Sequence, residues 1–201
     1  MDGVSGFVLA GGKSSRMGQD KAFLELGGRT LLTHALELAK ATTGNVCIVG
    51  SKEKFAAFGQ VVEDIFPGHG PLGGIYTALT GTRTELNLVL AVDMPFLQLE
   101  FLNYLVAQAR DCSAAVVVPS TERGLQPLCA VYRRDFAEVA EPALVAGKNK
   151  IDRLFAEVET RVINQEELER NGFPDDMFRN LNTELDWQDA RQRLSAQSTR
   201  S

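Results

Sequence analysis

A chain of 201 residues, 44% hydrophobic and 23% charged, is the size of one compact domain burying about 70% of its unfolded surface. Its net charge of −5 with no basic stripe excludes nucleic acid as the expected partner, and its apolar runs fall far short of the ~20 residues needed to cross a bilayer. Three widely spaced cysteines, Cys47, Cys112 and Cys129, exclude a disulfide framework; with His34 and His69 as the only histidines, a zinc site built from His and Cys is excluded too, and a hard, oxygen-bound ion is the expected metal.

Residues 7–10 form a short apolar run that predicts a buried strand ending at the turn Gly11-Gly12. The glycines Gly11, Gly12 and Gly18 can take φ > 0, so successive N–H groups can turn inward, while Lys13, Arg16 and Lys21 add positive charge. Local cations on a glycine loop after a strand, in an acidic chain, point to a polyphosphate. A P-loop is excluded because its first glycine falls on Phe7, and Gly11-Gly12 followed only by Gly18 does not make a dinucleotide fingerprint.

Thr30 is placed to cap a helix whose apolar face is Leu31, Leu32, Ala35, Leu36 and Ala39. A strand follows at 46–49, a short helix at 52–58 and a strand at 61–62 that ends in Glu63-Asp64. Gly68-His69-Gly70-Pro71-Leu72-Gly73-Gly74-Ile75 is a second glycine-rich segment, leading into a helix to about Thr82; its glycines would let a flat base or ribose approach the backbone. Residues 86–92 are apolar apart from Asn87, as expected of a central strand covered on both faces, and stop at Asp93-Met94-Pro95. A carboxylate at the carboxyl end of such a strand lies where open α/β sheets bind ligands, and is a hard-oxygen ligand suited to Mg²⁺ beside a triphosphate.

The remaining pattern predicts a helix at 101–109, a strand at 114–118, a polar loop at 119–124, an alternating strand at 126–132 and a helix at 136–145. A basic turn with Lys148 and Lys150, a helix at 151–155 and a strand at 161–163 come next. Asn180 and Asn182 are two apart, so an extended segment turns both amides to one face, and Thr183 caps a helix from about 184 to 194. Residues 195–201 read as a disordered tail. Strands alternating with helices imply a single α/β domain with a mostly parallel central sheet between two helical layers, a three-layer Rossmann-like arrangement.

Taken together, Leu9-Ala10-Gly11-Gly12-Lys13-Ser14-Ser15-Arg16-Met17-Gly18 with Asp20-Lys21, Gly70-Pro71-Leu72-Gly73-Gly74, Val92-Asp93-Met94-Pro95, Gln126-Pro127-Leu128 and Asn180-Leu181-Asn182-Thr183 resemble the molybdenum cofactor guanylyltransferase family, over roughly residues 6–190. The resemblance implies a nucleotidyltransferase fold and transfer of GMP from Mg-GTP to the terminal phosphate of molybdopterin. It implies GTP contacts at Leu9, Ala10, Gly11, Gly12, Lys21, Asp64 and Gly74, and Mg²⁺ on Asp93. Asn180 and Asn182 then approach molybdopterin or Mo-molybdopterin, and Arg16, Lys21 and Asp93 carry the catalytic charge.

Implied partners beyond the substrates are molybdenum insertion proteins and recipient molybdoenzymes. The opening Met-Asp-Gly-Val-Ser lacks the basic region of a secretory signal, so a cytoplasmic location is expected, with no membrane contact. Two departures stand out. Gly50-Ser51-Lys52 occupies the place where the family often has an Asn, and Leu72-Gly73-Gly74 replaces a frequent Leu-Ala-Gly, read as a mild change. Competing readings are a cytidylyl- or other nucleotidyltransferase acting on molybdopterin or a sugar or alditol phosphate, and a non-catalytic module that binds GTP and molybdopterin for delivery.

Overall fold

The structure, a computed structural model, describes residues 3–11 and 20–198. In chain order the strands and helices are β1 (Val4–Leu9), β2 (Glu25–Leu26), β3 (Arg29–Thr30), α1 (Leu31–Thr43), β4 (Val46–Val49), α2 (Lys52–Phe55), β5 (Val61–Val62), α3 (Pro71–Gly81), β6 (Leu86–Ala91), α4 (Leu99–Arg110), β7 (Val116–Thr121), β8 (Gly124–Leu125), β9 (Cys129–Arg133), α5 (Phe136–Val145), α6 (Ile151–Leu154), β10 (Thr160–Ile163), α7 (Gln165–Arg170) and α8 (Glu184–Ser198).

The main sheet runs β10-β7-β9-β6-β1-β4-β5, with β8 paired to β7. Neighbours are parallel except at β9, which is antiparallel to both β6 and β7, and at β8. Alternate strand residues feed two separate cores. Val8, Ile48, Leu88, Leu90 and Val117 pack under α1 and α4, whereas Phe7, Leu9, Val49, Val89 and Val118 pack under α3, α5 and α6. With both faces covered, β6 is buried at every position, which is why its sequence is apolar apart from Asn87, whose buried amide is satisfied by the Thr84 hydroxyl and by the carbonyls of Glu85 and Tyr132. These layers bear out the three-layer α/β expectation.

The helix starts follow their capping chemistry. Thr30 Oγ1 accepts the Thr33 amide at 3.1 Å, and Thr183 Oγ1 accepts the Asp186 amide at 3.1 Å while Asp186 Oδ2 accepts the Thr183 amide at 2.9 Å, a reciprocal capping box.

Several boundaries differ from expectation. Residues 119–121 are not loop: they extend β7 into a hairpin with β8, in which Ser120 pairs with Leu125 and Thr121 with Gly124 at φ 98°. The polar side chains hid a turn that is closed by the Arg123 amide on Thr121 Oγ1. The strand expected from Gln126 begins only at Cys129, because Gln126 O accepts the Cys129 amide in a turn. Gly27 and Gly28, both at positive φ, close a two-residue hairpin between β2 and β3, and Asn164 caps the short α7 through the Glu167 amide; neither element was expected. Helix α8 continues to Ser198, into the segment expected to be a disordered tail.

Candidate functional site

Three stretches distant in sequence meet at the carboxyl edge of β1 and β6. Leu9 pairs with Ala91 in the sheet, and just beyond them the Val92 amide donates to Leu9 O at 3.3 Å while the Ala10 amide donates to Val49 O at 3.0 Å. The chain therefore leaves β1 at Gly11 beside the place where it leaves β6 at Asp93. Leu9 and Ala10 are buried; Gly11 is the first exposed residue. It does not use the positive φ open to a glycine, and a Cβ there would meet only Val49 O at 3.9 Å. What a bare Cα supplies at Gly11 is open approach. Gly12 and Arg16, with Lys13 and Gly18, lie outside the described residues.

Lys21 arrives on a short 3-10 turn, Lys21–Phe23, whose shape follows from Asp20. Asp20 Oδ1 accepts the Ala22 amide at 3.2 Å, and its Oδ2 is held by Lys54 Nζ of α2 at 2.7 Å. Ala22 is fully buried, so the turn is anchored on both sides. The Lys21 ammonium then points back over the sheet edge. Its Nζ is 3.1 Å from Asp93 Oδ2 and 2.6 Å from Asn182 Oδ1.

The third stretch follows the turn Asp175–Phe178. Leu181 is buried in a small cluster with Leu26, Leu31, Trp187 and Ala190, and its amide donates to Asp93 O at 3.0 Å. That pairing pulls both asparagines to the edge. Asn182 reaches Lys21, while the Asn180 side-chain oxygen is buried with no hydrogen-bond partner among the described residues. An orphaned buried acceptor of this kind costs free energy unless a donor reaches it, and a ligand is one source of that donor.

The second glycine loop closes another side. Asp64 Oδ1 accepts the Phe66 amide at 3.0 Å and the Thr77 hydroxyl at 3.2 Å, which ties the loop to α3. Gly74 is buried, and a Cβ on it would lie 3.3 Å from Leu9 Cδ2, so this glycine lets α3 pack on β1. Gly68 and Gly70 carry the positive φ angles of the loop itself, at 86° and 65°. At Gly50, where the Asn of the resembling family is missing, a Cβ would press 2.9 Å from the Phe55 ring. Lys148 and Lys150 are exposed.

Chemically, the three stretches meet at a cation and an anion of similar burial, the Lys21 and Asp93 side chains being 17% and 19% exposed. Among the described residues no group of three or more His, Cys, Asp or Glu side chains could hold a metal. A metal at Asp93 would have to complete its shell with phosphate oxygens and water. That donor set fits Mg²⁺, which is commonly held by one or two carboxylates plus substrate phosphates. A cleft at the opposite, amino edge of the sheet, lined by Asn45, Gln60 and Arg83, contains no carboxylate and lacks this pairing.

Reading the sequence alone missed two features here: the Lys54–Asp20 tie and the direct contact of Asn182 with Lys21. No local signal announces the second, since the partners are 161 positions apart.

Comparison with known proteins shows the family. The family model described as "MobA-like NTP transferase domain" matches residues 6–162. The "Molybdenum cofactor guanylyltransferase" of Desulfosudis oleivorans is 33% identical over 200 residues, covering 98% of each chain. A relative in Pelotomaculum thermopropionicum, named "Probable molybdenum cofactor guanylyltransferase", is 36% identical over 190 residues, 94% of this chain and 92% of its own. The crystal structure of molybdopterin-guanine dinucleotide biosynthesis protein A from Archaeoglobus fulgidus superposes with a TM-score of 0.83 at 26% identity, covering 96% of this chain and 99% of that one.

Proposed function

Since the chain belongs to the MobA-like NTP transferase family, we propose that it is a molybdenum cofactor guanylyltransferase, moving GMP from GTP to the terminal phosphate of molybdopterin to give molybdopterin guanine dinucleotide and pyrophosphate. The observation that carries this reading is the Lys21–Asp93 pair at the carboxyl edge of the central strands, 3.1 Å apart. It puts a phosphate-binding cation and a hard-oxygen metal ligand at one point.

The reaction joins two anions. An acceptor phosphate oxygen attacks the α-phosphorus of GTP, the bond from that phosphorus to the bridging oxygen breaks, and pyrophosphate leaves with the electron pair. The acceptor is already ionised near neutral pH, so the protein needs no strong base; it needs positioning and positive charge. In this reading the Lys21 ammonium, together with Arg16, neutralises charge on the α-phosphate and on the departing pyrophosphate. Asp93 would hold Mg²⁺, which when bound would offset charge on the triphosphate.

In this reading the backbone of Leu9, Ala10 and Gly11 borders the nucleotide, Gly12 is assigned to the same ligand from the sequence, and the loop held by Asp64 and packed through Gly74 borders the base. Asn180, with its unpartnered oxygen, and Asn182 face molybdopterin. Among the described residues no helix is long and apolar enough to cross a membrane, and we take the cytoplasm as the site of action.

Pyrophosphate release from GTP, CTP and ATP, with Mg²⁺ and molybdopterin present or omitted, tests the reading. Release from GTP alone, dependent on both additions, is expected. Release from CTP would move the chain to cytidylyl transfer, and nucleotide binding without release would leave a delivery module.

A further inference from the structure

We infer that Asn182 is a positioning residue for Lys21: its amide oxygen keeps the ammonium at the sheet edge once Asp93 turns to a metal-bound nucleotide, so Asn182 sets affinity for the nucleotide and not only for the acceptor. The inference rests on the guanylyl-transfer reading and deepens it.

An ammonium has three donors and no acceptor. Lys21 spends one on Asp93 Oδ2 and one on Asn182 Oδ1, and the shorter contact, 2.6 Å against 3.1 Å, is the one to the neutral amide. The carboxylate is also the group a hard cation would claim. With Asp93 as its sole anchor, Lys21 would lose its place whenever that carboxylate was engaged elsewhere, and a flexible four-carbon arm would have to be ordered again on the phosphates. A second anchor removes that cost.

Asn182 is built to be such an anchor, because its own position does not depend on Lys21. Its backbone amide donates to Asp186 Oδ2 at 3.1 Å, and the same oxygen takes the Thr183 amide and hydroxyl at 2.9 and 2.8 Å. Arg179 pairs with Asp186 and with Asp189. The Leu181 amide on Asp93 O, at 3.0 Å, then fixes the asparagine segment to the backbone of the residue that carries the carboxylate. The segment that carries Asn182 thereby stays tied to the backbone of Asp93 whichever way the carboxylate turns. Since Asn182 is exposed, its truncation leaves the core intact.

The test is calorimetric binding of Mg-GTP, without acceptor, to the full-length protein and to Asn182→Ala, Lys21→Met and the double variant. Asn182→Ala is expected to bind about tenfold more weakly than wild type, the scale of one charge-assisted hydrogen bond. The double variant is expected to bind no more weakly than Lys21→Met. Wild-type affinity in Asn182→Ala with only the KM for molybdopterin raised would overturn the inference, and so would an equal loss in both Lys21 backgrounds. Failure of the wild-type protein to bind Mg-GTP while binding another Mg-nucleotide would count against the guanylyl reading alone, because the same cycle can be read with that nucleotide.

Discussion

Lys21 and Asp93, 72 positions apart in the chain, form an ion pair of 3.1 Å in which both side chains are more than four-fifths buried. Neither is locked in a hydrophobic core, and each has a second contact: Lys21 with Asn182, Asp93 through its carbonyl with Leu181. The pair joins the exit of β6 to the turn that follows β1, and it is the part of the described site with charge to offer a reacting phosphate.

Replacing Asp93 with Ala is therefore expected to lower turnover by about a hundred- to a thousandfold, the scale of one preorganised electrostatic contact. Lys21 keeps Asn182, so the unfolding midpoint should fall by no more than about 5 °C. Pyrophosphate release and thermal unfolding on one preparation check both parts; near-normal turnover would remove Asp93 from the chemistry.

Gly73 stands where relatives of the resembling family often carry Ala, and the structure makes that change less mild than the sequence suggests. A Cβ at Gly73 would lie 2.7 Å from the Phe66 carbonyl oxygen and 3.1 Å from Asp64 Oδ1. Ala gains about 1 kcal/mol of helix propensity over Gly, but the clash is with backbone, which yields less easily than a side chain. Gly73→Ala is expected to destabilise by about 1–3 kcal/mol and to raise the KM for GTP as the loop is displaced. At Gly74 the atoms nearest the added methyl are side-chain carbons of Leu9, from 3.3 Å, and Gly74→Ala should cost less. Urea unfolding of the two variants gives the order.

His34 supplies a pH dependence with a defined sign. Burial, and after it the charge of Arg29, pushes its imidazole below the ordinary value of 6.5, with Glu37 and the Pro95 carbonyl opposing. Its Nε2 is buried with no partner among the described residues. As pH falls below 6.5 the unfolded chain takes up a proton that the folded one refuses. The stability is thus full above 6.5 and lost as pH falls toward and through the folded value. Urea unfolding at pH 8, 6 and 5 should show this loss in the wild type and a smaller slope in His34→Gln; identical slopes would contradict it.

Phe178 closes the turn that delivers the two asparagines, and it packs edge-on against Phe101 at 5.1 Å while being nearly fully buried. Phe178→Ala should cost about 3–5 kcal/mol by cavity formation. In the folded fraction it should also raise the KM for molybdopterin, because residues 180–182 lose their base. Denaturant unfolding and steady-state kinetics measure the two effects separately.

Much of this was legible along the chain because it depends on neighbours. The nearly continuous apolar run of β6, broken only at Asn87, announces burial on both faces, the Thr30 and Thr183 caps announce helix starts, and Asp93 follows from where the run stops. The β7–β8 hairpin was not legible. Its residues are polar, and its turn is closed by a threonine hydroxyl that reads equally well as solvated loop. The antiparallel setting of β9 between β6 and β7 is likewise a matter of pairing, and alternation along a strand carries no direction.

What the sequence by itself determined is the layered α/β fold, with the glycine loop after β1 and Asp93 after β6 on one edge, since apolar periodicity and glycine placement act within a few residues. Only the tertiary structure decided that Lys21 stands between Asp93 and Asn182, that the Asn180 oxygen is left without a partner, and that Gly73 must lack a Cβ. The two Lys21 contacts span 72 and 161 positions, and even the Gly73 approach to Phe66 depends on how the loop folds back on α3, which no local pattern encodes.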